Sequence, residues 1–277
     1  MKEQLLFSPG HMGGTWHYRA RRVIAPHYHA DLEFNVVLRG TARYIVKNTR
    51  HDLQPGSMIW LFPRQEHVLL DMSRDYEMLI VVARPKLIRQ IARTDEASVL
   101  RQLDPAGTFV KTLGPGALHD FQTRFRDVAA NSAHVDLYNA GLAHLVLAGW
   151  YAFLKAGEAP ASNLHPSVEK AARLMQTTEA AMSLDQLAET VGLSPSRLSR
   201  LFHAQTGVSL VAFRQRQQLG RFFSIYPGNG QHKMLDAALR AGFGSYPQFH
   251  RVFVKLIGQS PASYFRRDGS RSSEKTL

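Results

Sequence analysis

SLDQLAETVGLSPSRLSRLFHAQTGVS occupies residues 183–209, and AALRAGFGSYPQFHRVFVKLIGQSPASYFRR occupies residues 237–267. The second stretch is the first rewritten. Leu187, Ala188, Gly192, Leu193, Ser194, Leu198, Arg200, Leu201, Phe202, Gly207 and Ser209 are answered by Ala237, Ala238, Gly242, Phe243, Ser245, Phe249, Arg251, Val252, Phe253, Gly258 and Ser260. Matching positions lie 50 residues apart before the turn and 51 after it, so Gly244 is a one-residue insertion.

Each copy spells helix, turn, helix. Ser183 with Gln186 three residues on is a capping box, Gly192 stands where a left-handed turn residue is wanted, and Ser194-Pro195 opens the next helix. In the second copy Gly242 fills the turn, and Ser245 with Gln248 supplies the second capping box. Leu198, Leu201 and Phe202 lie at i, i+3, i+4 and face a core, which leaves Ser196, Arg197, Ser199, Arg200 and His203 outward. Phe249, Val252 and Phe253 repeat the stripe and leave Tyr246, Gln248, His250 and Arg251 outside. Such a row of Arg, Ser, Gln and His has the donors and acceptors that major-groove base edges and phosphates pair with. Between the copies, Ser209 to about Tyr226 is rich in Arg and Gln and reads as a spacer helix roughly 27 Å long. One turn of duplex DNA is about 34 Å, so a single chain is expected to read two successive major grooves of double-stranded promoter DNA. Two copies in register with matched caps favour a DNA reader over a pair of packed helical hairpins.

The segment from Met182 to Arg267 resembles the double helix-turn-helix of the AraC/XylS family of bacterial transcription regulators, most specifically from Gly242-Phe243 through Ser260-Pro261 to Tyr264. The resemblance implies base reading from both recognition helices, at positions that fall here on Ser196, Ser199, Arg200, Gln248, His250 and Arg251. It also implies activation of transcription through contact with RNA polymerase. Three departures mark this chain: Ala237 for the usual Ile, Gly220 for the usual Ala in the spacer, and Pro247 in the first turn of the second recognition helix. Pro is tolerated there because that N–H has no partner within the helix, whereas Gly220 is expected to cost about 1 kcal/mol against Ala.

Charge agrees with the motif. Of the 277 residues, the stretch from Ser167 to Leu277 holds fifteen Lys and Arg against seven Asp and Glu, so most of the net +12 gathers around the duplicated unit. A phosphate backbone suits such a surface, as would RNA or a membrane; it is the motif that points to DNA. The absence of Cys excludes disulfides, thiolate metal sites and thiol redox sensing, and agrees with a reducing cytoplasm, the expected location. The apolar run before Pro9-Gly10 is too short for a secretory signal. The longest apolar run, near Leu142 to Leu154, is broken by His144 and falls short of the roughly 20 residues of a membrane span, so no membrane partner is expected.

The first half reads differently. Leu32, Phe34, Val36 and Leu38 alternate with Asp31, Glu33, Asn35 and Arg39, the period of a strand. Gly40, Asn48-Thr49, Pro55-Gly56 and Pro63 punctuate the runs Thr41 to Lys47, Ser57 to Phe62 and Glu77 to Ala83, which predicts a sandwich or barrel. His27, His29 and Glu33 share strand parity, and His67 follows Pro55-Gly56 and Pro63, a spacing similar to the two motifs of the cupin barrel that many AraC relatives carry as a sensor. Arg21 and Arg22 stand where strong cupin motifs carry Gly. Three readings stay open for the cluster: His27, His29, Glu33 and His67 as ligands of a divalent metal such as Zn, Fe, Mn or Ni; the same residues lining a pocket for an organic effector; or structural and solvent roles. No cofactor is otherwise implied. Trp16, Tyr18 and Tyr44 are candidate pocket walls, with plain core as the alternative.

After Pro85, helices are predicted over Lys86 to Arg93, Leu118 to Ala130 and Val135 to Lys155. The last is apolar on more than one side and is expected to pack on the barrel and against a second subunit, with core packing alone as the alternative. The expected organisation is therefore an α+β two-domain protein. A cupin-like effector-binding and dimerisation barrel with helices spans 1–156, a linker 157–166, an all-α double helix-turn-helix domain 167–267, and a polar tail 268–277. Expected function is a homodimeric transcription regulator, not an enzyme, that answers to a small-molecule effector and activates transcription in preference to repressing it. A metal-dependent cupin enzyme fused to a DNA-binding domain is the rival.

Overall fold

The computed structural model describes residues 7–19, 30–46, 49–63, 65, 67–159, 161–177, 182–226 and 233–269. The chain divides into two compact units, and the main break falls between Asn163 and Leu164.

The first unit is built on two antiparallel sheets. Strands β1 Gly13–Arg19, β2 Leu32–Arg39, β5 Ser57–Leu61, β7 Glu77–Ala83, β8 Val110–Thr112 and β9 Gly157–Glu158 form one in the order β1-β7-β2-β5-β8-β9. Strands β3 Ala42–Val46, β4 Thr49–Leu53, β6 His67–Met72 and β10 Ala161–Asn163 form the other in the order β10-β4-β3-β6. Helices α1 Pro85–Ile91, α2 Asp95–Ser98, α3 Pro115–Ala130 and α4 Val135–Lys155 follow where the periodicity placed helices, and α2 is a short addition. Within the stretch expected as a linker, β9 pairs with β8 and β10 with β4, so those residues complete the sheets of the first unit.

Alternation along β2 explains how the unit is layered. Leu32, Phe34 and Val36 enter the main core with Trp60 of β5 and with Leu142, Leu145, Trp150 and Phe153 of α4. The rings of Phe34 and Trp60, register partners across the strands, stack with centroids 4.2 Å apart. The opposite face of β2 carries Glu33, Asn35 and Val37, and all three are buried. That face does not meet water, because the second sheet covers it: the Tyr18 hydroxyl of β1 donates to Met72 Sδ of β6 at 3.6 Å. Helix α4 is long and apolar enough to cross a membrane by length and composition alone, yet its buried residues form the core against the sheet. Leu137 and Leu154 remain exposed on its far side.

From Leu164 onward the described residues are helical: α5 Pro166–Thr177, α6 Leu184–Thr190, α7 Pro195–Thr206, α8 Leu210–Ile225, α9 Met234–Arg240, α10 Tyr246–Ile257 and α11 Pro261–Gly269. The spacer is α8, 16 residues or roughly 24 Å, a little shorter than its Arg- and Gln-rich run suggested. Gly220, expected as a weak point, is buried in it. The last turn of α11 takes in the first two residues of the expected tail, and the rest of the tail lies outside the described residues.

Candidate functional site

Both helix-turn-helix units close on the same local chemistry. Gly192 and Gly242 take φ of +72° and +95°, left-handed values that a side chain disfavours. The N–H groups of Leu193 and Phe243 then return to the carbonyls of Ala188 and Ala238 at 2.9 and 3.1 Å, which satisfies orphan carbonyls at each helix end. Gly207 and Gly258, left-handed at +70° and +83°, end the two recognition helices α7 and α10 with their own N–H groups donating to the carbonyls of His203 and Val254 at 2.8 and 2.9 Å.

At the helix starts the copies diverge. Ser183 makes a full capping box with Gln186, and Ser194 accepts from the Arg197 N–H. Ser245 accepts from the Gln248 N–H at 3.3 Å, but the Gln248 side chain reaches past it to the N–H of the inserted Gly244 at 2.8 Å. The expected second capping box is thus corrected to a cap displaced by the insertion. Lys233 stands in the place of Ser183, and α9 begins without a side-chain cap.

The outward faces are those the stripe left free. Ser196, Arg197, Arg200 and His203 are exposed on α7, and Ser199 is half-buried. On α10, Tyr246 and Arg251 are exposed, while Gln248 and His250 are half-buried. Leu198, Phe202, Phe249, Val252 and Phe253 are buried as expected, and Leu201 only partly.

In the first unit the structure gathers a polar cluster on the covered face of β2. The Asn35 side-chain N–H donates to Glu33 Oε1 at 2.7 Å, and Asn35 Oδ1 is buried without a partner. Tyr44 is buried near Tyr76, Glu33 and Tyr18; burial foremost, then these neighbours, push its phenol well above the usual pKa. Tyr76, fully buried, donates to Met78 Sδ at 3.4 Å. The solvent-facing alternative therefore does not hold for Glu33, which is 6% exposed. Trp16 lies at the margin, 38% exposed. His67 is buried at the start of β6, with Nδ1 3.2 Å from the Gln65 carbonyl. His27 and His29, like Arg21 and Arg22, lie outside the described residues. Among the described residues no group of three or more His, Asp and Glu is placed to hold a metal ion.

Sequence reasoning missed His51. It pairs across from Tyr44 in β4, is 2% exposed, and its Nδ1 has no partner. Burial drives its pKa from 6.5 to about 4, against a smaller upward pull from Asp52. Between these values the unfolded chain takes up a proton at this position that the folded chain refuses. Stability therefore falls as pH drops from 6.5 towards 4, by on the order of 3 kcal/mol for this group. Urea unfolding across that window is expected to lose much of its pH slope in His51→Leu, and an unaltered slope would assign the titration elsewhere.

Comparison with known proteins agrees with both halves. A model of the AraC-like ligand binding domain matches residues 8–147, and a helix-turn-helix domain model matches residues 187–267. The melibiose operon regulatory protein of Escherichia coli (strain K12) is 22% identical over 265 residues, covering 89% of this chain and 85% of that one. The arabinose operon regulatory protein of the same strain is 28% identical over 117 residues, 40% of each chain. Among solved structures, ToxT from Vibrio cholerae O395 aligns over 92% of this chain and 97% of its own, at 15% identity and a TM-score of 0.41.

Proposed function

The chain belongs to the AraC/XylS family of transcription regulators, and from that premise we propose how its two units divide the work. The family places a ligand-binding domain beside a helix-turn-helix domain, which makes the protein a ligand-responsive transcription regulator. In our reading the second unit binds promoter DNA through Ser196, Arg197, Ser199, Arg200 and His203 on α7 and Tyr246, Gln248, His250 and Arg251 on α10. The observation that carries this is the equivalence of Arg200 and Arg251: both are exposed, and both follow the same glycine turn and the same serine cap. Effector binding is assigned in the same reading to Glu33, Tyr44, His67 and Trp16, together with His27 and His29. A metal held by His27, His29, Glu33 and His67 belongs to the same reading as an optional constituent of that site.

The protein works in the cytoplasm as a homodimer, with the exposed Leu137 and Leu154 of α4 as the apolar contact, and activates through RNA polymerase. It senses its ligand and does not transform it. The effector shifts DNA affinity only by as much as it favours one state of the protein over another.

Footprinting on duplexes selected from random-sequence DNA tests the reading. Arg200→Ala is expected to erase protection of one box and Arg251→Ala that of the other, each lost contact with a base costing about 1–3 kcal/mol. Uniform weakening by either variant, with no box singled out, would reduce both arginines to phosphate contacts and overturn it.

A further inference from the structure

The duplication reaches one helix further back than the motif does. On α5, the Ser167 hydroxyl donates to the Val191 carbonyl and the Lys170 ammonium to the Thr190 carbonyl, both at 2.9 Å. On α8, the Gln218 amide donates to the Gly242 carbonyl at 2.6 Å and Arg221 Nε to the Ala241 carbonyl at 3.3 Å. The donors correspond at an offset of 51, and their acceptors lie one residue further along in the second copy than the 50-residue register of the turn, yet in both copies the first helix feeds the carbonyls at the end of the second, which makes each copy a three-helix unit. The donors sit three apart on one face of their helix, as such a pair must.

One side chain breaks the symmetry. Arg221 also donates through Nη1 to the carbonyl of Met175 at 3.2 Å, in the last turns of α5. A single guanidinium therefore joins the C-terminal end of the first copy's leading helix to the turn of the second copy. Both helix ends carry partial negative charge, which favours a cation between them. Burial, and then the neighbouring charge of Arg214, push the Arg221 pKa down, so the position is held against a cost. Lys, a point charge without a planar fork, cannot serve both carbonyls with the same geometry.

We propose that Arg221 is a positioning residue that fixes the offset between the recognition helices α7 and α10, and so sets the spacing of the two DNA boxes that one chain accepts. This rests on the reading that both helices bind DNA, and the experiment separates the two.

Full-length protein is used to select duplexes from a random-sequence pool. The selected site is then compared with versions carrying one extra base pair between the boxes, by fluorescence anisotropy. Wild type is expected to lose about tenfold or more in affinity on insertion. Arg221→Lys is expected to bind the selected site about tenfold more weakly and to discriminate the insertion by no more than about twofold. Arg221→Gln, which keeps a planar donor, is read in its place should the Lys variant lose its helical circular dichroism. Lys170→Ala, confined to the first copy, is expected to keep the spacing preference of wild type. Selection of a single box by wild type would overturn the two-groove reading and this proposal with it. A two-box site with an undiminished insertion penalty in the Arg221 variants, or a penalty flattened equally by Lys170→Ala, would overturn the role of Arg221 alone.

Discussion

Phe222→Ala is expected to cost about 3–5 kcal/mol and to unfold the second helix-turn-helix, the range for a large aromatic removed from a core that cannot close over the gap. Phe222 is fully buried on α8. Its ring lies 4.4 Å from Phe249, 5.4 Å from Tyr226, and 6.2 Å from both Phe253 and Phe265. The same cluster contains Ala237 and Ala238 of α9 and Ala241 at its C-cap. Rings fill what those small residues leave open, and short side chains have nothing to extend into a cavity. The volume beside the small Ala237 is thus supplied from α8. Phe249 and Phe253 anchor α10 on this cluster, so box recognition by Arg251 should fail together with stability. Phe222→Leu, which keeps most of the volume, is expected to cost less than about 1.5 kcal/mol. Urea unfolding followed by far-UV circular dichroism measures both, and a loss below about 1 kcal/mol for the Ala variant would mean that the aromatic cluster repacks.

Caps and turns were legible because their chemistry is local. Ser183, Gly192, Ser194, Gly242 and Gly258 do in space what their neighbours along the chain require. The cap at Gln248 was misjudged by one residue, since the inserted Gly244 offers its own N–H in the place that Ser245 would have filled. Burial of Glu33 and Asn35 was not legible. A strand alternates with the same period whether its polar face meets water or another sheet, and only non-local packing decides. His51 was hidden for a related reason: it lies between Arg50 and Asp52, which pair with each other at 2.9 Å, so the run reads as a solvated charged edge while the His alone is fully enclosed. The three-helix repeat escaped because Ser167 and Gln218, or Lys170 and Arg221, share a role without sharing identity. Comparison of letters finds common shape; here only the common task of donating to a helix end is shared.

Trp60→Ala should do to the first unit what loss of Phe222 does to the second, at about 3–5 kcal/mol, and the conservative variant makes the sharper experiment. Trp60 is fully buried on β5, stacked on Phe34 and edge-on to Trp150 of α4 at 5.3 Å and 90°. Its ring joins sheet to helix, so truncation opens the layer in the middle. Yet its indole Nε1 is buried without a partner. An unsatisfied buried donor costs about 1–3 kcal/mol, which Phe at this position would not bear. Trp60→Phe gives up part of the ring and its dispersion contacts while removing that cost, and the two effects offset. The expected net change is within about 1 kcal/mol of wild type by urea unfolding, far from the Ala variant. Should Phe prove nearly as damaging as Ala, ring volume outweighs the stranded N–H, and the interface between β5 and α4 tolerates no smaller aromatic.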